Sequence, residues 1–137
     1  MGPQRNKLSL HLKHPTRDLS IICRALGLRP KVIWKKGEER RTAKGRSIGG
    51  VRDISYCSID LGVTSKVDLS KKVEMAIELL TPHRILLRRL SSTGGRAGFN
   101  IGWFCNEDTG EELRYDILAR MADLCIALDF NIYVSDD

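Results

Sequence analysis

The sequence predicts an α+β fold: an open, mostly antiparallel five-stranded sheet with three or four helices on one face. Three observations predict it. Several short segments alternate apolar and polar residues with a period of two, as strands with one buried face do. Between them lie stretches whose apolar residues recur at spacings of three and four, the stripe of an amphipathic helix. Gly and Pro stand at the junctions. The 137 residues, 42% apolar and 29% charged, have the size and composition of one globular domain over 1–137. No apolar run approaches the roughly 18 residues of a membrane span.

The first strand is KLSLHLK, residues 7–13, in which Leu8, Leu10 and Leu12 alternate with Lys7, Ser9, His11 and Lys13. Pro15 stops it, and Thr16 is placed to cap a helix bearing Leu19, Ile22, Cys23 and Leu26. Gly27 and Pro30 end that helix. KVIWK, 31–35, is a short second strand in which Trp34 reads as core. Residues 36–52, rich in charge and glycine, read as a long, mobile basic loop. A third strand spans 53–61, with Cys57, Ile59 and Leu61 on its apolar side. Ser70 then caps a helix carrying Val73, Ala76, Ile77 and Leu80.

Pro82 suits the first turn of a further helix capped by Thr81, with Ile85, Leu86, Leu87 and Leu90 inside; one kinked helix is the alternative. Gly94-Gly95 makes a turn. A long strand follows over 96–105, with Ala97, Phe99, Ile101, Trp103 and Cys105 on one face and Gly98, Asn100, Gly102 and Phe104 on the other. Thr109-Gly110-Glu111-Glu112 fits a capping box. It predicts a helix whose stripe is Leu113, Ile117, Met121, Leu124, Cys125 and Leu128, before a final strand over 130–134. With the two middle helices counted as one unit, the order matches a ferredoxin-like core extended by a C-terminal helix and strand.

The formal charge of +6 is not evenly spread. Between Arg29 and Arg52 nine Lys/Arg face two Glu, a local balance of +7; the remainder holds 14 basic and 15 acidic residues. A concentrated field of this kind attracts phosphates or acidic proteins, although charge runs are commonly just solvated. The four cysteines, Cys23, Cys57, Cys105 and Cys125, contain no C-x-x-C pair, and three of them fall on apolar faces. His11 and His14, three apart on a strand, point to opposite sides, so they do not make a metal pair. The chain has no phosphate-binding G-x-x-x-x-G-K-[ST], no G-x-S-x-G and no H-E-x-x-H. Gly94-Gly95-Arg96-Ala97-Gly98 follows a helix and precedes a strand, the reverse of a dinucleotide loop. No cofactor, metal or reaction is therefore indicated.

The segment Arg24-Ala25-Leu26-Gly27-Leu28-Arg29-Pro30, then Val32, Trp34, Lys36-Gly37 and Gly45-Arg46, a strand from Tyr56 to Leu61, and the ending Leu128-Asp129-Phe130-Asn131-Ile132-Tyr133-Val134 together resemble an uncharacterised bacterial family, the domain of unknown function numbered four-two-seven-nine. Members often carry tryptophan where this chain has Tyr56. The resemblance covers nearly the whole chain, implies a compact α+β domain and supplies no catalytic residues.

The expected function is that of a small non-catalytic binding module for a protein partner, an immunity-type, toxin-neutralising protein being one concrete form. Its contact surface is expected in Trp34, Lys35, Lys36, Arg40, Arg41, Lys44, Arg46 and Arg52. The same residues would serve nucleic acid or another polyanion; an enzyme without a recognisable motif is the third alternative. A homodimer is compatible with the sequence, and no membrane association is indicated. Met1 to Pro15 carry charge throughout and lack the apolar core of a secretory leader, so a cytoplasmic location is expected.

Overall fold

A computed structural model describes residues 5–61, 67–105, 107 and 110–134. Its strands are β1 (Arg5–His14), β2 (Val32–Trp34), β3 (Glu39–Arg41), β4 (Ser47–Val51), β5 (Ser55–Asp60), β6 (Arg96–Cys105) and β7 (Ile126–Val134). The helices are α1 (Leu19–Leu26), α2 (Leu69–Leu80), α3 (Arg84–Ser92) and α4 (Tyr115–Asp123). Five strands form one open sheet in the order β2-β5-β1-β6-β7, while β3 and β4 pair only with each other. β1 is central and antiparallel to both β5 and β6, β2 is antiparallel to β5, and β7 joins β6 in parallel. The run β6-β1-β5-β2 is the strand order of a split βαβ (ferredoxin-like) core, and α4 with β7 extends it.

The period of two decides which side is buried. Leu8, Leu10 and Leu12 of β1, Cys57 and Ile59 of β5, and Ala97, Phe99, Ile101 and Trp103 of β6 all lie in one apolar cluster with the helix stripes. Leu19, Ile22, Cys23 and Leu26 come from α1; Leu69, Val73, Ala76, Ile77 and Leu80 from α2; Leu87 and Leu90 from α3; Ile117 and Met121 from α4. Burying each of the Leu, Ile, Val, Phe and Met side chains among them contributes roughly 1.5–3 kcal/mol. The alternate residues of the same strands form the second face, which none of the described helices covers.

Several local expectations are corrected. Asp18, not Thr16, caps α1: its Oδ1 accepts from Ser20 N–H at 3.0 Å. The N-cap of α2 is Asp68, and Ser70 N–H instead donates to Glu111 Oε1 at 3.2 Å. Pro82 lies in a single 3₁₀ turn, Thr81–His83, which joins α2 to α3. Thr109 lies outside the described residues; 110–114 are not helical, and α4 begins only at Tyr115. Its C-terminal side ends earlier than the apolar spacing suggests, because Cys125 adopts a left-handed backbone (φ 57°) and faces solvent. The chain enters β7 there, so Leu128 is a strand residue. Trp34 is not core: its partner Tyr56 places it on the open face.

The largest correction concerns residues 36–52. They do not run as an irregular loop but form a two-stranded hairpin, β3–β4. Thr42 N–H donates to Arg46 O (2.8 Å) and Gly45 N–H to Thr42 O (2.9 Å), with Gly45 at φ 87° as the turn requires. At its base Gly37 N–H donates to Arg52 O (2.9 Å) and Arg52 N–H to Glu38 O (2.8 Å). Every residue of β3 and β4 is exposed. Nothing here alternates in polarity, so backbone hydrogen bonds, not burial, define these strands.

Candidate functional site

The hairpin carries half of the expected contact residues into solvent. Arg40, Arg41, Lys44 and Arg46 are all exposed, as are Lys35 and Lys36 on the approach to it. Arg41 is held by Glu39 (Nη2–Oε2 2.7 Å) and by Gly45 O (2.9 Å). Among the described residues Lys35, Lys36, Arg40, Lys44 and Arg46 close no ion pair. The excess charge thus remains uncompensated at the surface. Ile48 and Val51 stand beside it, 49% and 56% exposed.

Arg52 and Trp34 come together at the hairpin base. The Arg52 guanidinium lies 3.8 Å above the Trp34 ring, a cation–π contact. Trp34 packs against Tyr56 (centroids 4.6 Å), and Tyr56 meets His11 edge-on (5.5 Å). A row Arg52–Trp34–Tyr56–His11 therefore crosses the open face from β2 through β5 to β1.

His11 anchors a polar network that the sequence reading did not single out. Asn100 Nδ2 (3.4 Å) and Ser9 Oγ (3.3 Å) both donate to its Nε2. An Nε2 that accepts leaves the proton on Nδ1, which donates to Tyr56 Oη at 3.3 Å. Asn131 Nδ2 donates to Asn100 Oδ1 at 2.7 Å and extends the network to β7. The neutral imidazole suits this environment: partial burial pushes the His11 pKa below its ordinary value, Asp129 opposes that shift, and Lys13 reinforces it. Tyr56 is pushed up by its own burial. The polar alternation of 7–13 already placed His11 on this face; the register that gathers Tyr56, Asn100 and Asn131 around it was not readable without the fold.

The two histidines do diverge. His14 is buried at the end of β1, where its Nδ1 accepts from Thr16 N–H (3.1 Å) and Arg17 N–H (2.8 Å). That fixes its proton on Nε2, which donates to Thr93 Oγ1 at 3.0 Å. Cys23 and Cys57 are buried with their Sγ atoms 3.7 Å apart, and burial pushes both thiols up, away from the thiolate form that reacts. Among the described residues no group of three or more His, Cys, Asp or Glu is arranged to hold a metal ion. Among the described residues no helix is long and apolar enough to cross a membrane.

A split βαβ sheet with an uncovered polar face and a cationic arm defines the structural class. The chain belongs to the family described as domain of unknown function (DUF4279), whose family model matches residues 4–135. Comparisons with curated proteins and with solved structures returned no match.

Proposed function

We propose that this protein is a non-catalytic binding module whose partner is a protein with an acidic surface, engaged through the β3–β4 hairpin. One observation carries the reading: a hydrogen-bonded hairpin that buries none of its own residues and presents cations that close no ion pair among the described residues, beside exposed Ile48 and Val51. An isolated two-stranded ribbon is marginal in water, and mixed apolar and cationic side chains suit a protein surface that excludes water at its centre and complements charge at its rim. An immunity-type protein that neutralises an acidic toxin is one form such a module takes.

A second reading, single-stranded nucleic acid, is favoured by the Arg52–Trp34–Tyr56–His11 row beside the hairpin, since a basic groove with stacking aromatics is how such strands are held. One experiment separates the two. The immobilised chain and its Arg40→Glu/Arg46→Glu variant are exposed to cell extract, with and without nuclease. A protein retained after nuclease treatment by the parent, and lost with the double variant, is the expected result. Capture that vanishes with nuclease transfers the function to nucleic acid. Capture indifferent to the charge reversal overturns both.

A further inference from the structure

The open face also contains a small depression beside His11, and no hairpin residue lines it. Strand register builds it. His11 of β1, Gly98 of β6 and Ala127 of β7 lie side by side in one row. Two of those three residues have almost no side chain, so the row is a floor. Two residues along, Lys13 pairs with Arg96 and forms one wall. On the opposite side Asn100 pairs with Asp129, and the Asp129 side chain leans over the floor. A Cβ placed on Gly98 would meet Asp129 Oδ2 at 2.8 Å. Glycine is thus required at 98 for the carboxylate to lie where it does.

The cavity has a volume of about 150 Å³ and is lined by His11, Lys13, Arg96, Gly98, Ala127 and Asp129. At about 30 Å³ per water that is room for about five waters, the scale of a very small molecule. Its charges are the decisive feature. Lys13 and Arg96 line the same space as Asp129, yet none of the three closes an ion pair among the described residues. A wholly anionic guest would satisfy the cations and face the carboxylate; a wholly cationic guest would do the reverse. Only a guest with both signs satisfies both walls. The imidazole between them is held as a fixed neutral wall by Asn100, Ser9 and Tyr56, which pre-organises the site.

We infer that this depression binds a small zwitterion of the α-amino-acid class, its carboxylate received by Lys13 and Arg96 and its ammonium by Asp129. A small side chain is all the volume allows.

The test is calorimetric titration of the full chain, with amide-resolved NMR to locate the site. The probes are glycine and L-serine as zwitterions, and acetate and methylammonium as the two single-charge halves. Saturable binding of a zwitterion is expected, with amide shifts at His11, Gly98 and Ala127, and at least tenfold weaker binding of either half. Asp129→Asn, which keeps shape and removes charge, and Arg96→Gln should each weaken zwitterion binding about tenfold. Gly98→Ala should abolish it; thermal unfolding of that variant checks that the fold persists, and Asp129→Asn decides the matter if it does not. Acetate binding as tightly as glycine, an unchanged affinity in Asp129→Asn, or no saturable zwitterion binding each overturns the inference.

Discussion

Replacing residues 39–51 by Asn-Gly tests whether the hairpin is an appendage or a structural element. The graft is defined by the hydrogen bond from Arg52 N–H to Glu38 O (2.8 Å), which becomes the closing bond of a two-residue turn of the type Asn-Gly favours. None of the deleted residues belongs to the apolar cluster, and their internal hydrogen bonds are exposed, so water replaces them at little cost. Shortening the excursion from 13 residues to about two recovers loop-closure entropy of about 1.5 kcal/mol by the logarithmic rule. The variant should therefore match the parent within about 1.5 kcal/mol, whereas truncating a single buried leucine costs about 2–5 kcal/mol. Urea denaturation measures this. The slope should change little, because it scales with surface exposed on unfolding. A loss above about 2 kcal/mol, larger than the loop and surface terms together, would show that the hairpin braces the sheet and refute its assignment as a free arm.

Other expectations follow from single sites. His14→Leu removes three hydrogen bonds, to Thr16, Arg17 and Thr93, and at about 1 kcal/mol each should cost about 3 kcal/mol; a double-mutant cycle with Thr93→Val should show coupling, and strict additivity would count against the assigned bond. His11 has a folded pKa below its unfolded value, so the unfolded chain takes up its proton first as pH falls. Its contribution to stability is lost as pH drops from about 6.5 toward the folded pKa, and a pH series of urea midpoints should be flatter through that window in His11→Gln. Cys125→Gly relieves a left-handed backbone (φ 57°) at an exposed site and should raise stability by about 0.5–1 kcal/mol in thermal unfolding; a lower midpoint would contradict the strain.

What was legible in the sequence was whatever burial periodicity encodes. Leu8, Leu10 and Leu12 announced the face of β1, and Phe99 and Ile101 that of β6, because a half-buried strand must alternate. The split βαβ order followed from counting such elements. The β3–β4 hairpin escaped because its strands bury nothing. Trp34 was misplaced because three residues at a sheet edge do not fix a face; only pairing with Tyr56 does. The α4 start was misplaced because Thr109-Gly110-Glu111-Glu112 satisfies a capping pattern while Glu111 is instead recruited to the start of α2. The cationic residues of the candidate site were visible as a local excess of charge. The His11 network and the Asp129 depression are products of register across β5, β1, β6 and β7, information that no single segment contains.

The position of β1 has a consequence for how the chain reaches this state. β1 is translated before both strands it pairs with and is the middle of the finished sheet, and its second neighbour, 96–105, follows about 90 residues later. Until then the leucine side of 5–14 has no finished place to go, and a half-made domain must carry β1 as an unsatisfied template. Such a protein depends on delayed, long-range closure, so truncations that remove 96–105 should leave an insoluble fragment rather than a smaller folded one.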